Sequence, residues 1–188
     1  MVTGRDQQAI DYIENLQVLT TKTINELVYN NMRVCQRRLA CLTDEKVLIR
    51  EKNLYSKENI YSTKPINPKQ LRHKLARVDF YMALSKIANV KQFLVEPDLE
   101  SIRPDALTLC QSNKNGKGTF FSLEVETSNN RVNMVKYEAF LEKHYDKYFK
   151  IGKDRFKVVV VTSKLIPKTS FQVVKIKPDL SNISDVLL

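Results

Sequence analysis

A chain of 188 residues with 31 Lys and Arg against 21 Asp and Glu carries a formal charge of +10, a balance that favours polyanionic partners, nucleic acid first among them. The length suits one good-sized domain or two small ones. No apolar run approaches the roughly 20 residues needed to span a bilayer, and the polar start Met1–Arg5 predicts no signal peptide, so a cytoplasmic protein without membrane contact is expected. Cys35, Cys41 and Cys110 form no CxxC pair and read as free thiols of a reducing compartment.

The first predicted element is a helix over 5–16, with Ile10, Ile13 and Leu16 at helical spacing. Leu19-Thr20-Thr21 then supplies a turn and a helix cap. A second short helix shows Ile24, Leu27 and Val28 on one face and is broken by Asn30-Asn31. A third runs from about Met32 to Thr43, with Val34, Leu39 and Leu42 towards a core and Cys35 and Cys41 at its margins. Val47–Arg50 and Ile60–Ser62 are strand-like and joined by a polar loop. Three helices followed by a two-strand wing predict a winged helix-turn-helix over residues 1–64. Side chains that reach phosphates and base edges in double-stranded DNA are typically Arg, Gln and Asn. Arg33, Gln36 and Arg37, with Arg38 beside them, are therefore the candidates on the third helix, and Lys52 and Lys57 offer backbone contacts from the wing.

Thr63–Pro68, with two prolines and an Asn, marks a boundary. Beyond it a long amphipathic helix to about Asn89 carries Leu71, Leu75, Val78, Met82 and Ile87, with Lys69, Arg72, Lys74, Arg77 and Lys86 on its outside. Val90–Val95 reads as a strand. Two more, Arg103–Leu109 and Thr119–Glu126, flank a Gly-containing turn at Asn113–Gly118. A helix is expected from about Arg131 to Tyr148. Phe156–Thr162 is an unbroken β-branched run that predicts burial on both faces. Phe171–Ile176 is a candidate last strand. Residues 65–188 thus predict an α/β domain with a mixed sheet.

Charge is not spread evenly. Residues 91–130 hold 4 basic and 6 acidic side chains, an acidic island in a basic chain. The island contains Asp105, Glu124 and Glu126 on two hairpin-linked strands, the raw material of a divalent-metal site. Metal-assisted phosphodiester cleavage needs carboxylates to hold the ion and often a Lys to steer or activate water. Pro104-Asp105, then Glu124-Val125-Glu126, matches the spacing of restriction-endonuclease-like PD-(D/E)XK proteins, except that Glu126 stands where a Lys is expected. Lys136, ten residues further on, is the candidate replacement.

Arg37-Arg38-Leu39 before the wing, His73 with Asp79 and Tyr81, Arg103-Pro104-Asp105-Ala106, Phe121–Thr127 and Lys136-Tyr137 together resemble the replication-relaxation family of plasmid and mobile-element proteins of Gram-positive bacteria. The resemblance covers roughly 5–163. It implies a winged-helix DNA-binding domain joined to a nuclease-like domain, and a role in plasmid replication, relaxation or mobilisation, or in regulating them. By the same match, Asp105, Glu124, Glu126 and Lys136 are the family-site positions. Two departures are the acid-x-acid pattern and a short C-terminus.

Three functional expectations follow. The first is a DNA-binding accessory or regulatory protein, with a homodimer and relaxase or replication proteins as further partners. The second is an Mg²⁺- or Mn²⁺-dependent nicking endonuclease, with Asp105 and Glu124 holding the metal, Glu126 assisting and Lys136 orienting water. The third is a protein-interaction component that binds no DNA.

Overall fold

The computed structural model describes residues 1–127 and 133–188. The chain divides into two compact units, Met1–Val78 and Asp79–Leu188. The division falls inside a long helix, beyond the Pro-rich turn where the sequence places its boundary.

In the first unit α1 spans Gly4–Leu16. Thr3 caps it, its hydroxyl accepting from the Asp6 amide while Asp6 accepts from the Thr3 amide, so two otherwise unpaired donors are satisfied reciprocally. Strand β1 is only Leu19–Thr20. Thr20 caps α2, Thr21–Ile24, which widens into a π-type turn over Asn25–Tyr29 and ends at Asn30 in the left-handed conformation (φ 53°). Asn31 caps α3, Met32–Asp44, by accepting from the Val34 amide. Strands β2 (Ile49–Lys52) and β3 (Asn59–Ser62) form an antiparallel hairpin. Leu19 pairs with Tyr61 on the other side of β3, giving a three-stranded sheet in the order β1-β3-β2.

The phase of α3 differs from the sequence expectation. Cys35, not Val34, joins Leu39 and Leu42 in the core, and Val34 is half-buried. Cys35 lies four residues before Leu39, so the two stack on one face.

Helix α4 spans Pro68–Ile87. Pro68 occupies its first position, where no amide donor is needed, and Asn67 accepts from the Lys69 amide. Within the first unit Leu71 packs with Val18 and Ile60.

The second unit is built on a five-stranded mixed sheet, in the order β4 (Ala88–Val95), β5 (Ala106–Ser112), β6 (Gly118–Val125), β7 (Lys157–Val161), β8 (Gln172–Ile176). The first three strands form an antiparallel meander, and β7 and β8 run parallel to β6. The parallel step from β6 to β7 carries α5 (Val135–Lys143) and α6 (Tyr145–Tyr148). The helix expected over 131–148 is therefore broken at His144, and its first two residues lie outside the described ones. Every residue of β7 is buried, as the β-branched run predicts, because strands flank it and side chains cover both its faces. One face is closed by an aromatic cluster of Phe140, Tyr145, Phe149 and Phe156. On the other, Phe121 meets Phe80 of α4 edge-on at 6.1 Å.

Among the described residues, no helix is long and apolar enough to cross a membrane.

Candidate functional site

Two groups of side chains stand out, one in each unit.

On α3, Arg33, Gln36 and Arg37 are exposed. Among the described residues no carboxylate pairs with either arginine. Their helix is capped and anchored through Cys35, Leu39 and Leu42, so its outer face is presented on a rigid support. Lys52 and Lys57 are exposed on and near the β2–β3 hairpin. Asn53 shapes its turn, accepting from the Tyr55 amide at 2.9 Å.

Arg38 requires a correction. Its guanidinium turns away from this face to Asp6, with Nη2 on Oδ2 at 2.6 Å and Nε on Oδ1 at 3.0 Å. Asp6 is fully buried and also accepts from the Tyr29 hydroxyl at 2.7 Å. Burial alone would raise the Asp6 pKa, but Arg38, Thr3 and Tyr29 outweigh it and hold the carboxylate well below its ordinary value. Arg38 thus braces α3 against α1. The only local trace of this in the sequence is the Thr3-x-x-Asp6 spacing of the cap.

In the second unit the acidic island becomes a defined cluster at one end of the sheet. Ala106 pairs with Leu123, and one further step of the register sets Asp105 opposite Glu124. Directly opposed residues of an antiparallel pair share a face. The Asp105 amide donates to the Leu123 carbonyl at 3.0 Å, and its Oδ2 accepts from the Val125 amide at 2.6 Å. The carboxylate so continues the ladder past the end of β5. Glu124 faces α5, where its Oε1 accepts from Lys136 Nζ at 2.8 Å and from the Tyr137 hydroxyl at 2.5 Å. Tyr137 in turn bonds Ser122 Oγ at 2.8 Å. Lys136, carried by α5, thus lies within ion-pair distance of Glu124.

Burial raises the Glu124 pKa above its ordinary value; the ammonium of Lys136 partly offsets this, and the charge of Asp105 adds to it. Burial and the neighbouring Glu124 raise Tyr137 well above its own. A shifted carboxylate beside an amine and a second acid is the type of environment found at functional sites.

Glu126 lies just past β6, its amide donating to the Val161 carbonyl. Among the described residues no three His, Cys, Asp or Glu side chains gather to hold an ion. The donors that do converge are the two carboxylates of Asp105 and Glu124, a set sufficient in chemistry for Mg²⁺, which commonly takes one or two carboxylates and completes its shell with water and phosphate.

Tyr137 and Ser122 were missed by sequence reasoning. Their signal was available: Ser122 and Glu124 alternate on one face of β6, and Tyr137 adjoins Lys136.

Comparison with protein-family models, with characterised proteins and with solved structures found no match.

Proposed function

We propose that this chain is a double-stranded-DNA-binding accessory or regulatory protein of plasmid or mobile-element replication, relaxation or transfer. In this reading the first unit is a winged helix-turn-helix and the second a restriction-endonuclease-like α/β unit. The observation that carries it is the solvent face of α3, where Arg33, Gln36 and Arg37 stand exposed on a capped, core-anchored helix. The β2–β3 hairpin follows α3 directly, as a wing does, and adds Lys52 and Lys57. The resemblance to the replication-relaxation family supplies the plasmid and mobile-element context. The test is a fluorescence-anisotropy titration of labelled origin, transfer-region and random duplexes at 50 and 200 mM salt. Binding is expected to weaken steeply with salt, to prefer one of the specific sites, and to fall at least tenfold in Arg33→Ala with Arg37→Ala. Salt-independent binding, or equal affinity for random duplex, would sink the reading.

The Asp105, Glu124 and Lys136 cluster favours a second reading, a metal-dependent nicking endonuclease. A bound Mg²⁺ or Mn²⁺ would supply charge stabilisation at the phosphate. The chain would contribute Asp105 and Glu124 as ligands. Tyr137 would position Glu124, and Lys136 would orient a water molecule. The check is incubation of supercoiled plasmid with Mn²⁺. Nicking should be lost in Asp105→Ala and Glu124→Gln alike, and nicking that survives both excludes this site.

A further inference from the structure

Strands β6 and β7 run parallel, with Lys157 beside Phe121. Glu124 therefore sits at one end of this pair, and Gly118, Thr119 and Lys157 lie towards the other. At that second end an open cleft of about 760 Å³ is walled by three cations, Lys117, Arg155 and Lys157, and by the apolar side chains of Leu109, Phe120 and Ile151. Gly118, Thr119, Leu187 and Leu188 complete the lining, which holds no Asp or Glu side chain but does hold Leu188 with its terminal carboxylate. The cleft volume lies inside the range of small-molecule sites, roughly 300–1,000 Å³.

Lys157 makes this more than a basic surface. It is only 8% exposed, and its ammonium donates to the Val186 carbonyl at 3.3 Å. An ammonium has three donors, and a buried one is costly unless it is bonded and neutralised. Among the described residues no carboxylate pairs with Lys157, Lys117 or Arg155. Three cations in one cleft wall, one of them nearly buried, form a surface suited to an anionic group. The cleft wall also holds Leu109 and Ile151, which are 40% and 38% exposed, a large apolar exposure for a surface otherwise rich in charge.

We propose that this cleft binds a nucleotide unit. Its phosphate is met by Lys117, Arg155 and Lys157, and its sugar and base lie against Leu109, Ile151 and Phe120. A phosphate bearing a flat, largely apolar body is the ligand that uses both kinds of wall at once. The cleft shares no residue with the Asp105–Glu124 cluster or with α3, and it does not rest on either reading above.

The same chemistry is offered by a free nucleoside monophosphate and by an unpaired nucleotide of a DNA strand, and the experiment separates them. Full-length protein is titrated calorimetrically with 5′-dAMP and, in a second arm, with a short single-stranded oligonucleotide. Saturable one-to-one binding is expected in at least one arm. It should weaken at least tenfold in Lys117→Ala with Arg155→Ala, two exposed positions that leave the core intact, and also in Lys157→Met. Tighter binding of 5′-dAMP assigns the cleft to a free nucleotide, and tighter binding of the oligonucleotide assigns it to a strand. Failure of both probes to saturate by roughly 10 mM, or binding indifferent to Lys117→Ala with Arg155→Ala, overturns the proposal.

Discussion

At the scale of single residues, two carboxylates with opposite environments do opposite things. Asp6 is buried but receives five donated bonds, from the amide and hydroxyl of Thr3, the Tyr29 hydroxyl and two nitrogens of Arg38. Its pKa is held below the ordinary value, so its contribution to stability is complete above the unfolded-state pKa, about 4. That contribution declines as pH falls towards the folded-state value. Removing the Asp6 carboxylate uncaps α1 and leaves the Tyr29 hydroxyl without its acceptor, at a cost of about 2 kcal/mol. Asp6→Ala is accordingly expected to lower Tm by about 10 °C at neutral pH, and the deficit should shrink as the buffer is taken from pH 5 to pH 2. A calorimetric series over that range checks both the size and the sign. Glu124 is the reverse case. Its pKa is raised, so the folded state disfavours its charge, and that cost is present above the raised value and absent below the ordinary one.

Elements differ in how much of themselves they disclose in sequence. Strand β7 is legible because Val158–Val161 needs no partner to declare its β-branched, doubly buried character. The phase of α3 is less so. Val34 and Cys35 are adjacent small apolar residues, and it is the step of four from Cys35 to Leu39, with Cys35 Sγ 3.7 Å from the Thr21 carbonyl, that goes with Cys35 facing inward. Strand β1 has two residues, too few for any periodicity, and exists only because β3 offers it an edge. The break at His144 is hidden because Phe140 and Tyr145 face one aromatic cluster from both sides of it. The site divides in the same way. Asp105, Glu124 and Lys136 follow from spacing, whereas the diversion of Arg38 depends on a residue 32 positions away. The aromatic cluster also carries an energetic consequence. Phe156 is 1% exposed and contacts rings of Phe120, Phe140, Tyr145 and Phe149. Phe156→Ala should destabilise the second unit by about 3–5 kcal/mol, measurable as a shifted denaturant midpoint.

For the whole molecule, the distribution of charge is informative. Residues 1–78 carry 14 basic and 8 acidic side chains, and residues 79–188 carry 17 and 13. The unit bearing α3 thus holds the larger excess in the shorter stretch, mostly through the four cations of Lys69–Arg77. If Arg33, Arg37, Lys52 and Lys57 each neutralise one phosphate, duplex affinity should fall about a hundredfold between 50 and 200 mM salt. Each alanine substitution among them should flatten the logarithmic salt slope by about 1. The cysteines make that experiment convenient. Burial raises Cys35 and Cys110 to about 11, so at neutral pH neither offers a thiolate to a maleimide. Cys41 is half-exposed and lies one helical turn beyond Arg37. An unaltered chain can therefore be tagged with a single fluorophore beside the exposed face of α3, and the same tag, quenched or not, reports whether an added duplex lies there.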